Sequence, residues 1–197
     1  VTMTTNNQAR EDVQGTSWLK RYYFTRAAFS IMWVCAAVGL AGNTTAAAAL
    51  LLVYPAWDAI ANLVDAQRNG GLRRNPTQAV NAGVSLVTTI AVGVALTQST
   101  NAVLGVFGVW AVLSGLLQLA TGARRRRSYG AQWPMVVSGV QSALAGGMFL
   151  IQANAPEAPQ VTAVAPYVAF GAFYFLISAV WLTVNEARRR TTPLSQQ

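Results

Sequence analysis

The sequence predicts an all-α integral membrane bundle of six transmembrane helices, arranged as three pseudo-repeated helical hairpins with the N- and C-termini both cytoplasmic. Three observations predict it. The 197 residues are 53% hydrophobic and only 10% charged, whereas soluble domains carry about 25% charged residues. Six apolar segments divide the chain, most of them near the roughly 20 residues that cross a ~30 Å hydrocarbon core. All fourteen Lys and Arg residues fall outside those segments and only in alternate connections.

The spans follow in order. The first, 27–41, is short, with Tyr22, Tyr23 and Phe24 ahead of it as interfacial residues. The preceding polar stretch contains Glu11 and Asp12 and lacks the apolar core and small-residue cleavage site of a secretory signal, so the first span reads as retained. Residues 1–16 read as a disordered tail, 17–190 as the transmembrane domain and 191–197 as a second tail; Val1 and Met3 are both candidate starts. Gly42 and Asn43 make a tight turn into the second span, 44–66, and Asn69, Gly70 and Gly71 make a flexible loop into the third, 76–97. The fourth covers 102–122 and the fifth 133–152. Asn154, Pro156 and Pro159 mark the longest turn before the sixth, 161–184. Alternation is absent, and in hydrocarbon every backbone amide needs an internal partner, so the spans are read as helices.

The charges set the orientation. Arg10, Lys20, Arg21 and Arg26 precede span one; Arg68, Arg73 and Arg74 lie between two and three; Arg124–Arg127 lie between four and five; Arg188–Arg190 follow six. The other three connections carry only Glu157. Six crossings put every basic residue on one side, which the positive-inside rule makes cytoplasmic. Fixing topology accounts for the basic runs. Arg73, Arg74, Arg124, Arg125, Arg126, Arg127, Arg188, Arg189 and Arg190 are also candidate contacts for anionic phospholipid headgroups. The net charge of +8 gives no support to a nucleic-acid partner when its placement follows topology so closely.

An internal repeat runs through the chain. Gly108-Val-Trp110-Ala-Val-Leu-Ser114-Gly115, followed by Arg124–Arg127, lies over Ala172-Phe-Tyr174-Phe-Leu-Ile-Ser178-Ala179, followed by Arg188–Arg190, without a gap. Span two is a looser copy through Trp57 and Ala61-Asn62, and spans three and five match weakly through residues 80–84 and 136–140. All copies of the even spans end on the same side. Gly108 to Leu119, the arginines after it, and Trp133-Pro134-Met-Val-Val-Ser138-Gly139 with Gly146-Gly147 and Phe149-Leu150 resemble the HdeD-like family of small bacterial membrane proteins, over roughly the second half of the chain. Tyr54-Pro-Ala-Trp57-Asp58 begins a diverged copy in the first half. The resemblance implies repeated pairs of transmembrane helices, a bacterial inner-membrane location and a stress or acid-resistance setting. It implies no catalytic residues.

Asp58, Asn62 and Asp65 are the sharpest candidate site, at i, i+4 and i+7 on one face of span two. Asp58 lies ten residues before Arg68, about 15 Å deep at 1.5 Å per residue. A carboxylate there costs at least ~2.5 kcal/mol and has to face the bundle interior, a partner or water. Span three offers a matching stripe of Gln78, Asn81, Ser85, Thr88 and Thr89, in which Asn81 and Ser85 bracket the depth of Asp58, and Gln118, Ser138, Gln141 and Ser142 extend a polar interior. Asp58, Asn62, Asp65, Asn81, Ser85 and Gln118 are therefore read as one polar intramembrane cluster. It acts either by hydrogen-bonding helices together or as a small transporter or proton pathway through Asp58. Gly139, Ala143 and Gly147, spaced by four, and Gly108 and Gly115 are read as helix-packing positions.

Histidine is absent, Cys35 is the single cysteine, and there is no phosphate-cradling glycine loop or zinc motif. The expectation is a non-enzymatic membrane protein without cofactor or metal, of stress or acid-resistance type or an accessory subunit. Its partners are the bilayer, anionic phospholipids, and other membrane subunits or copies of itself.

Overall fold

The structure, a computed structural model, describes residues 2–125 and 133–191. Six helices form: α1 (Thr2–Gly39), α2 (Thr44–Arg68), α3 (Pro76–Leu96), α4 (Thr100–Arg125), α5 (Trp133–Gln152) and α6 (Ala165–Thr191), with a short 3-10 turn at Val161–Ala163 before the last. No strand occurs among the described residues.

Local chemistry explains the boundaries. The Asn43 side chain accepts the Ala46 amide at 2.9 Å and starts α2. Pro76, which has no N–H to lose at a helix start, opens α3. Ser99 Oγ accepts the Ala102 amide at 3.0 Å at the head of α4. Gly70 and Gly71 carry the chain out of α2 at φ 94° and 92°, a region that side chains with a Cβ avoid. Asn75 holds that loop closed by donating to the Asn69 and Gly71 carbonyls at 2.8 and 3.0 Å. The span 27–41 is the apolar end of a far longer helix: before Gly39 the chain contains only Gly15 and no proline to interrupt α1. The sixth helix proper begins after the 3-10 turn, with Pro166 in its first turn.

The helices pack as a closed ring. Each contacts its neighbours in sequence, and α1 closes the ring against α6. The α4–α5 contact is the most extensive, followed by α1–α6, whereas α5–α6 and α1–α2 meet only briefly. The α1–α6 seam carries a Lys20–Glu186 ion pair of 2.7 Å and a Tyr23–Phe175 ring stack at 6.1 Å.

The outer surface is apolar, unlike that of a protein in water. Ile90 and Ile151 are 64% and 76% exposed on the outside, while Ser85 and Asp58 are 0% and 7% exposed within. Thr44–Arg68, Pro76–Leu96, Thr100–Ala120 and the 161–188 stretch are long and apolar enough to cross a bilayer; the apolar part of α5 at 136–152 is shorter. An outward apolar belt on this scale is a lipid-facing surface, and the chain is an all-α membrane bundle. A mixed aromatic and aliphatic core fills the ring around Phe107, Trp33, Tyr54 and Val168.

Candidate functional site

Asp58 is held from three helices, its own included. Arg26 of α1 forms an ion pair with it through Nη2 and Oδ1. Its other oxygen accepts Ser85 Oγ of α3 at 2.7 Å and Asn62 Nδ2 of its own helix at 3.0 Å. The Asn81 amide approaches that oxygen at 3.5 Å. Ser85 in turn accepts Trp110 Nε1 of α4 at 3.0 Å. The continuous chain Trp110–Ser85–Asp58–Arg26 therefore ties α4, α3, α2 and α1 together. Charge-assisted bonds of this kind are the strong ones, and a low-dielectric surrounding strengthens them further.

Arg26 is gripped on its other side as well. Its Nη1 donates to the Tyr22 hydroxyl at 3.0 Å, one turn earlier on α1. Its guanidinium lies 4.4 Å from the Phe175 ring centroid, a cation–π contact reaching α6. The sequence places Arg26 with the flanking charges that set topology. The structure instead turns it inward, because the face that it shares with Tyr22 and Ser30 looks into the ring.

The residues read from sequence as one cluster divide. Asp58, Asn62, Asn81 and Ser85 meet as described. Asp65 lies about 10 Å further along α2, seven residues on, where it accepts Asn69 Nδ2 at 2.8 Å at the helix end. Gln118 sits apart on α4, with Ser138 Oγ of α5 3.4 Å from its Oε1.

Of these residues, Asp58, Asn81 and Gln118 border an interior cavity of about 380 Å³. Arg26, Asp58 and Asn81 form one wall, and Trp110, Ser114 and Gln118 of α4 another. Ser138, Gln141 and Ser142 of α5 face Tyr167 and Tyr174 of α6 across it. Two hydrogen bonds cross there: Tyr174 Oη donates to Gln141 Oε1 at 2.8 Å, and Ser142 Oγ lies 3.1 Å from the Tyr167 hydroxyl. Sequence reasoning did not place Arg26, Tyr54, Tyr167 or Tyr174 at this site. One signal was present: Trp110 and Tyr174 occupy equivalent repeat positions, and both line the cavity.

The α4–α5 contact is built on glycine. A Cβ added at Gly115 would stand 2.6 Å from the Gly139 carbonyl and 2.7 Å from the Ala143 nitrogen. One at Gly146 would stand 2.6 Å from the Gly108 carbonyl, and Gly108 and Gly139 are similarly crowded. Gly147, read from sequence as part of this stripe, has open space there. The reason is angular. From Gly139, a step of seven residues returns within about 20° of the same face, and a step of eight overshoots by about 80°, so Gly146 takes the contact.

Of the candidate lipid contacts, Arg73, Arg74 and Arg188 are exposed at the end of the bundle where α1 begins and α6 ends. Arg124, Arg125, Arg189 and Arg190 lie on the last turns of α4 and α6, their side chains outside what is described, and Arg126 and Arg127 lie outside the described residues. Among the described residues no three His, Cys, Asp or Glu side chains gather as a metal site.

No curated protein and no solved structure matches this chain. Residues 80–151, which run from α3 through α4 to the last turn of α5, match the model of a family described as a short repeat of unknown function (DUF308). That is the family of the HdeD-like membrane proteins, and residues 80–151 are similar to its repeat.

Proposed function

We propose that the chain is a non-enzymatic protein of the bacterial inner membrane that serves in stress or acid resistance, working as an accessory subunit alongside other membrane proteins. Both termini face the cytoplasm in this reading, and exposed Arg73, Arg74 and Arg188 meet anionic headgroups there. The observation that carries it is the engagement of Asp58 by Arg26, Ser85 and Asn62. A carboxylate bound on both oxygens from three helices braces a bundle. The stress assignment comes from the resemblance to the HdeD-like family alone, since the matched repeat is itself described as of unknown function.

The test is deletion of the gene in its host, followed by acid challenge and by copurification of the tagged protein in mild detergent. Survival after acid shock is expected to fall at least tenfold and to return with the wild-type gene, and a discrete membrane partner is expected to copurify. A deletion strain that survives like its parent, with the protein recovered alone, overturns the reading.

A further inference from the structure

The cavity has a mouth, and the mouth faces lipid. α5 and α6 meet only briefly. Of the lining residues that are exposed, Leu144, Met148, Pro166 and Phe170 are apolar, and only Gln152, the last residue of α5, is polar. An opening framed in this way communicates with hydrocarbon. Between Ser138 and Gln152, the cavity follows α5 for about 21 Å at 1.5 Å per residue, long enough to take an extended acyl segment. Its volume of about 380 Å³ lies within the ~300–1,000 Å³ of small-molecule sites.

The inner end offers hydrogen bonds that the described protein does not use. Ser114 Oγ, Asn81 Oδ1 and Arg26 Nε are buried and have no hydrogen-bond partner among the described residues. All three residues line the cavity, and Ser114 is only 8% exposed. Buried polar groups are nearly always satisfied. Together they offer an acceptor at Asn81, a donor at Arg26 and a hydroxyl able to do either. A hydroxyl headgroup, which both donates and accepts, matches that set.

The charge balance narrows the ligand further. Among the described residues, Arg26 and Asp58 are the only Arg, Lys, Asp or Glu side chains lining the cavity, and they neutralise each other. A charged headgroup would enter a low-dielectric space with no counter-charge left to meet it, at a cost of several kcal/mol. We propose that the cavity binds an uncharged single-chain amphiphile with a hydroxyl headgroup, of which a monoacylglycerol is the simplest. It slides in from the membrane between α5 and α6, places its head at Ser114 and Asn81, and leaves its tail against Met148 and Phe170. This inference does not depend on the stress role or on the orientation proposed above.

The experiment uses the full chain in phosphatidylcholine nanodiscs with a monoacylglycerol that carries a diazirine on its acyl chain. After photolysis, labelled peptides are mapped by mass spectrometry. Saturable labelling is expected on α5 and α6 around Leu144, Met148 and Phe170, removed by excess unlabelled monoacylglycerol. A diazirine fatty acid, anionic at neutral pH, is expected to label those positions at least fivefold less. Ser114→Leu fills the inner end, and Met148→Trp narrows the mouth at an exposed position that the fold tolerates. Each is expected to lower labelling there at least fivefold while leaving the lipid-facing positions Leu86 and Ile90 labelled as before. Should Ser114→Leu fail to fold, Met148→Trp decides alone. Labelling spread evenly over the outer faces without competition, wild-type labelling in a folded variant, or equal labelling by the fatty acid overturns the proposal.

Discussion

Removing the Arg26 guanidinium leaves the Asp58 carboxylate inside the ring with hydrogen bonds but no counter-charge. Breaking a buried pair on one side typically costs about 3–5 kcal/mol, whereas replacing both partners by apolar groups costs far less. With both side chains about a tenth exposed (12% and 11%), solvent screens little of this. Arg26→Met is therefore expected to lower the midpoint of thermal unfolding in mild detergent sharply. Adding Asp58→Leu to it is expected to restore more than half of the loss. A double variant less stable than Arg26→Met alone would show that the pair is not what holds the two residues. At this scale the sequence was legible where chemistry follows spacing. Asp58 and Asn62 share a face four residues apart, and Asn81 and Ser85 match them in depth on the next helix. Arg26 was not legible, because an arginine at the start of an apolar run carries the same local signal whether it anchors at the headgroups or turns inward. Only the positions of α2 and α6 decide between them, and those are tertiary facts.

Single helices and their pairings add a different constraint. α4 and α5 come close enough for Gly115 and Gly146 to meet the backbone of the partner helix, so any side chain there has to push the helices apart. Overpacking typically costs about 1–3 kcal/mol, and a Cβ against backbone has no rotamer to escape into. Gly115→Val and Gly146→Val are expected to cost at least that much, while Gly147→Ala, with nothing near it, stays within about 0.5 kcal/mol of the parent. Equal behaviour of Gly146→Val and Gly147→Ala in thermal unfolding would refute this assignment of the contact face. The small residues of this interface stand out in the sequence, but spacing by four drifts across a helix with 3.6 residues per turn. Choosing Gly147 over Gly146 was an error of one position, about 100° around the helix. The Trp33 indole, which donates to the Leu50 carbonyl at 2.7 Å in the turn before Pro55, was equally out of reach, since nothing local links the two.

Taken whole, the described molecule places the α2–α3 connection, the start of α1 and the end of α6 at one pole and the α5–α6 connection at the other. The orientation that the arginines imply becomes a labelling experiment once Cys35, exposed on the outer surface of α1, is replaced by serine. Asn154→Cys is expected to react with a membrane-impermeant maleimide on intact cells, and Leu72→Cys only after permeabilisation. The reverse pattern would invert the protein in its membrane. The apolar segments announce that helices exist, and six helices form. Ring closure was not legible. α1 and α6 are the two helices furthest apart along the chain, and their seam rests on Tyr23, Phe175, Lys20 and Glu186, four residues whose types occur at the ends of many membrane helices.

That closure has a consequence for biosynthesis. A ribosome delivers α1 before α6, so α1 waits for its main neighbour until α2 to α5 have emerged. Its contact with α2 is brief, and the salt bridge from Arg26 to Asp58 is the strongest bond across it. That bridge can form as soon as the second helix emerges. It then serves as a tether, keeping α1 beside the nascent bundle until α6 arrives to seal it.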